Sequence, residues 1–132
     1  MNIKENIATN SFLNIVTELP CILQSYLPNT VIDYTVYQST GLIKHIEKRH
    51  PDCLSYLDCI TDIINHPDYI GTNPNETVPS LEFVKKLDDN ILVGIKLDIK
   101  DNYLYIATLH TITTSKLEHR VASGRLKAVD NL

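Results

Sequence analysis

Three of the five histidines in this 132-residue chain, His45, His50 and His66, fall between Gly41 and Gly71, beside Lys44, Lys48 and Arg49. Imidazoles titrate near neutrality, so two of them next to cations could carry out metal-free acid–base chemistry on a phosphodiester. A fourth, His110, follows Thr108 by two residues in the apolar run YLYIATLHTI. Strand alternation puts that hydroxyl and imidazole on one side, together with Leu104, Ile106 and Ile112. Arg120 and Arg125, in HRVASGRLK, add guanidinium groups of the kind that grip phosphate bidentately. Each of these residues also has a purely structural reading. A charge run on a helix is ordinarily a solvated face. A histidine before proline, as in His50-Pro51 and His66-Pro67, marks a helix boundary.

Other chemistries fit less well. On one continuous helix His45 and His50 would lie about 140° apart, at roughly 100° per residue, and the zincin pattern of histidines four apart is missing. Cys21, Cys53 and Cys59 form an odd set without paired zinc-site spacing. No metal or cofactor is therefore expected. P-loop, dinucleotide-fold, nucleophile-elbow and kinase signatures are not found, and four glycines leave little room for them. The net charge of −4 argues against a protein that coats nucleic acid nonspecifically, because such binding rests on neutralising phosphates. Only the tail departs from this balance, residues 115–132 carrying +2. The N-terminal MNIKENIATN lacks the basic start and apolar core of a signal peptide, and no apolar run approaches the roughly 20 residues that cross a bilayer. The expectation is a reduced, cytoplasmic protein without a membrane segment.

The elements that must position these groups read as α+β. Residues 1–29 are expected to be an N-terminal helical extension, loose to about residue 10 and then amphipathic through Phe12, Leu13, Ile15, Val16 and Leu19. Alternation from Thr30 through Ile32, Tyr34 and Val36 predicts a strand. A helical hairpin follows, with Leu42, Ile43 and Ile46 buried in its first helix and Leu54, Leu57, Ile60, Ile63 and Ile64 in its second. The runs 81–87, 91–99 and 103–112, joined by Asp88-Asp89-Asn90 and Lys100-Asp101-Asn102, predict an antiparallel β-meander. Ser115 with Glu118 predicts a capping box for a short last helix. Residues 30–128 thus form one domain, with 129–132 as a tail.

The order of helices and meander, with KHIEKRHPD, IINHPDYIG, YLYIATLHTI and KLEHRVASGRLK at intervals, resembles a group of small phage and mobile-element proteins. These are classed with barnase, EndoU, colicin E5/D and RelE in one nuclease-like superfamily. The resemblance covers about residues 30–128. It implies a metal-independent ribonuclease, toxin- or phage-associated, that cleaves RNA by attack of a 2′-hydroxyl. The implied catalytic residues are His45, His50, Thr108, His110 and Arg125, with Lys48, Lys86 and Arg120 binding RNA. His45 would be the base and His110 or His50 the acid, while Arg125, Arg120 and Lys86 stabilise the phosphate and Thr108 donates a hydrogen bond. A cognate antitoxin or immunity protein is a further implied partner. The acidic balance fits an alternative, a noncatalytic phage-type protein of the same fold that binds and inhibits a host protein such as a defence-system component. In either case a phage-encoded chain would act in the host cytoplasm.

Overall fold

The computed structural model describes residues 3–6 and 11–131, and the side chains of residues 13–130. Eight strands form one mixed sheet among these residues, in the order β1-β2-β3-β7-β6-β5-β4-β8. They are β1 (Ile3–Asn6), β2 (Ser11–Glu18), β3 (Thr35–Ser39), β4 (Tyr69–Gly71), β5 (Ser80–Lys86), β6 (Asn90–Asp98), β7 (Tyr103–Ile112) and β8 (Leu126–Ala128). The helices are α1 (Cys21–Gln24), α2 (Gly41–Arg49), α3 (Ile60–Asn65) and α4 (Thr114–Ala122), with a 3-10 segment at Pro51–Cys59.

The sheet is not purely antiparallel, because β3 runs parallel to β7. Between them the chain makes its excursion through α2, the 3-10 segment and α3, and these cover one face. Leu42, Ile46, Cys53, Ile60, Ile63 and Ile64 pack there against Phe83, Val93, Ile95, Leu104 and Ile106 in the main core. On the opposite face α4 closes a smaller cluster of Val84, Leu92, Ile112, Leu117 and Leu126.

Several local expectations are corrected. Residues 11–18 form β2, paired antiparallel with β3, not an amphipathic helix. Spacings of one, two and three between apolar residues fit either element, and pairing with β3 decided between them. The strand expected from Thr30 begins only at Thr35, and Ile32 is left 84% exposed. In α2, Leu42 and Ile46 are buried but Ile43 faces outward. The second hairpin helix is α-helical only over Ile60–Asn65. Its first nine residues form the 3-10 segment, whose three residues per turn bring Cys53 rather than Leu54 into the core. The last helix is capped by Thr113, whose hydroxyl accepts a hydrogen bond from the Lys116 amide at 3.1 Å, instead of by the Ser115–Glu118 box. Residues 1, 2 and 7–10 of the expected loose N-terminus, and Leu132 of the tail, lie outside the described residues.

Candidate active site

The strand β7 changes phase part-way along. Gly94 of β6 pairs with Thr108, but the next residue, Ile95, pairs with Ile106, so Ala107 is an extra residue in the ladder. Such a β-bulge reverses the alternation beyond it. Leu104 and Ile106 point into the main core before the bulge, and Leu109 does so after it. Thr108 and His110 are thereby turned away from Leu104 and Ile106, onto the opposite face, where the expected single alternation did not put them.

That face divides into three zones along the strands. At the end nearest α4 lies the small apolar cluster with Ile112. In the middle, Gly71, Glu82, Gly94 and Thr108 are successive cross-strand partners on β4, β5, β6 and β7. Two of these four have no side chain, which leaves a trough between Glu82 and Thr108. A Cβ at Gly94 would stand 2.9 Å from Thr108 Cγ2, and one at Gly71 only 1.8 Å from the Arg125 carbonyl oxygen. Gly71 is therefore what lets the chain before β8 close onto the sheet and bring Arg125 over the trough. The third zone holds Tyr103 and Tyr105, next to Tyr37 of β3.

The trough is the floor of an open cleft of about 440 Å³. One wall comes from α2. Because β3 pairs with β7 only at Val36–Leu104 and Tyr37–Tyr105, the later half of β7 has a free edge, and α2 and the 3-10 segment pack along it. Cys53 is fully buried there with its thiol against the Thr111 backbone. Burial raises that thiol's pKa, the setting of a packing cysteine. At His50 the chain leaves the helix (φ −142°, ψ 57°), so the 140° separation expected from His45 does not apply. The ring centroids of His45 and His50 are 5.9 Å apart, and those of His50 and His110 are 5.4 Å apart. His110 Nδ1 lies 2.9 Å from the Thr111 carbonyl oxygen. A carbonyl only accepts, so Nδ1 carries the proton and Nε2 is left for the cleft.

The other wall is cationic. Arg125 donates from Nε and Nη2 to the two carboxylate oxygens of Glu82, at 2.8 and 2.9 Å. Both side chains are largely buried, and the Glu82 hydrogen bond raises the Arg125 pKa further. Arg120, reaching over from α4, is different. Its Nη1 is buried without a hydrogen-bond partner among the described residues. Burial, and to a smaller extent the charge of Arg125, lowers its pKa, with Glu82 opposing the shift. Lys96 completes the cations and is paired with Glu76 at 3.1 Å across the rim.

Six of the eight residues singled out from sequence, His45, His50, Thr108, His110, Arg120 and Arg125, line this one cleft. Lys48 is exposed on α2 and does not line it. Lys86 lies on the far side of α4, its Nζ 5.4 Å from the centre of the Tyr69 ring and facing a separate cavity. Glu82, Lys96 and Glu76 were missed. Glu82 occupies the polar phase of an alternating strand, which reads as solvent-facing when only one face is assumed to be covered. Among the described residues no group of three or more His, Cys, Asp or Glu side chains is arranged to hold a metal ion.

The model of one protein family, described as phage-Barnase-EndoU-ColicinE5/D-RelE like nuclease3, matches residues 21–119. No curated protein and no solved structure matches the chain.

Proposed function

We propose, on the premise that the chain belongs to the phage-Barnase-EndoU-ColicinE5/D-RelE like nuclease family, that the cleft cleaves RNA without a metal, by 2′-hydroxyl transesterification. The support comes chiefly from one observation. Three imidazoles, Thr108 and two arginines from α2, β7, α4 and the segment before β8 converge on a single open cleft.

His45, at the exposed mouth, takes the proton from the ribose 2′-hydroxyl. The freed oxygen attacks phosphorus, and the P–O2′ bond forms as the P–O5′ bond breaks. His110 enters as the imidazolium, keeps its Nδ1 proton on the Thr111 carbonyl and gives its Nε2 proton to the departing 5′-oxygen, leaving a 2′,3′-cyclic phosphate and a 5′-hydroxyl. His50 packs between the two rings and holds their separation. Charge growing on the phosphoryl oxygens is met by Arg120 and by a hydrogen bond from Thr108. Arg120 suits this role because its Nη1 has no bond to give up, whereas Arg125 has two of its donors bound to Glu82. Arg125 adds a fixed positive charge beside the phosphate.

The test incubates purified protein with mixed RNA in chelator and assays for cyclic phosphate ends. Wild type is expected to cleave, while His45→Ala, His110→Ala and Arg120→Ala lose activity and remain folded. A base and an acid acting together predict a bell-shaped pH dependence of kcat/KM. Wild-type protein that leaves every RNA intact would overturn the proposal and turn attention to a host-protein partner, which the net charge of −4 suits.

A further inference from the structure

Beside the cleft stands an aromatic patch that the proposed catalytic residues do not use. Lys96, on the cleft floor, is the direct cross-strand partner of Tyr105. Directly paired residues of an antiparallel ladder share a face, with Cβ atoms about 5 Å apart. Tyr105 therefore stands on the trough side of the sheet, two residues before Ala107 of the cleft lining. Its ring is only half-buried. Behind it Tyr103 is buried, with its centroid 5.9 Å away and its plane tilted by 50°, and Tyr37 meets Tyr103 edge-on at 6.0 Å and 86°. Leu13 closes the cluster from β2. Tyr105 is thus one partly open aromatic ring braced by two buried ones, next to a lysine, at the end of a cleft lined by histidines and arginines.

We propose that Tyr105 is a nucleobase-stacking subsite, and that Lys96 contacts the phosphate joining that nucleotide to the one being cleaved. This rests on the ribonuclease reading of the cleft. A rigid ring loses little freedom on binding, and every base offers a π-face, so the subsite holds single-stranded RNA and tolerates sequence. Lys96 can move to the phosphate by leaving Glu76, a partner on the rim whose ion pair is only partly buried. The bulge at Ala107 makes this arrangement possible, since it keeps Tyr105 and the later Thr108 and His110 on the same face despite their odd spacing.

The experiment uses short single-stranded RNA with a 2′-deoxy sugar at the cleavage point, which binds but cannot react. Abasic versions remove one base at a time from either side of that point. Fluorescence anisotropy is measured for wild type, Tyr105→Ala and Tyr105→Phe, and kcat and KM for cleavable RNA on the same proteins. Expected is a loss of about tenfold in affinity for Tyr105→Ala, with Tyr105→Phe close to wild type. One abasic position should cost wild type the same factor and cost Tyr105→Ala nothing. In cleavage, the loss should fall on KM and leave kcat near its wild-type value. Wild-type binding indifferent to every abasic position overturns the subsite without need of a variant. Cleavage by wild type with Tyr105→Ala unchanged overturns the subsite and leaves the nuclease reading standing. Conversely, a base-dependent loss at Tyr105 in a protein that cleaves nothing retains the subsite and removes the catalytic reading. Absence of both binding and cleavage overturns the two together.

Discussion

The two faces of the central sheet use the same three strands for opposite ends. On one face β5, β6 and β7 present Phe83, Val93, Ile95, Leu104, Ile106 and Leu109 to the helices, all nearly or fully removed from water. On the other, the same strands present Glu82, Gly94, Lys96, Thr108 and His110 to an open cleft. The apolar face tolerates little change because its groups gain only by burial, at about 25 cal/mol per Å² removed from water. The polar face gains little from burial and must instead keep its charges paired and its glycines small. Stability and chemistry are thereby assigned to opposite sides of one strand, and the bulge at Ala107 keeps them apart.

Deleting Ala107 tests what the bulge adds to that division. Thr108 would then follow Ile106 in simple alternation, so Thr108, Leu109 and His110 would keep their present faces while the bulge and its local twist are lost. The expected outcome is a cooperative thermal transition that survives, read by circular dichroism, with cleavage strongly reduced because the lost twist re-aims Thr108 and His110. Cleavage equal to wild type would show that the bulge's twist does not aim the two side chains.

A matched pair of substitutions sharpens the contrast. His110→Ala is expected to lower kcat by about 10²–10⁴-fold, the range for losing a general acid, with Tm nearly unchanged. Leu109→Ala, one residue away on the other face, is expected to lose about 2–5 kcal/mol of stability in a denaturant titration. Equal effects of the two substitutions on stability would remove the distinction between the faces.

Glu82 tests whether the polar face also contributes to folding. Removing one partner of its largely buried pair with Arg125 leaves a charge unpaired, so Glu82→Met should cost about 3 kcal/mol. Adding Arg125→Met should restore part of that loss, because two packed apolar side chains replace a desolvated ion pair well. Additive losses in this double-mutant cycle would mean that the two side chains do not act as a pair. The smallest effect is expected at the edge of both faces. Thr113→Ala should lower stability by about 1 kcal/mol by removing the cap of α4, with cleavage reduced only as far as Arg120 is displaced.

Much of the cleft could be read from residue types. Imidazoles and guanidinium groups in KHIEKRHPD, TLH and HRVASGR mark chemistry wherever they fold, and six of the eight residues so marked share one cleft. Lys86 stands apart from the cleft, beside Tyr69, because charge alone does not say which cavity a lysine faces. Glu82 was passed over because alternation predicts which residues share a face and not whether both faces are covered. In the N-terminal region, Leu13, Ile15, Val16 and Leu19 fit a helix as easily as a strand, and pairing with β3 selected β2.

The α+β composition, the strands of the late sheet, the helices around His45 and Leu117, and the inventory of titratable groups are legible along the chain. These follow from periodicity and residue chemistry, which act over a few residues. The parallel run of β3 beside β7, which leaves the later half of β7 open to α2, and the extra residue that turns Thr108 and His110 outward emerge only in three dimensions. Both depend on hydrogen bonds between strands far apart in the chain. No local pattern encodes such pairings, because a strand's register is set by its partner.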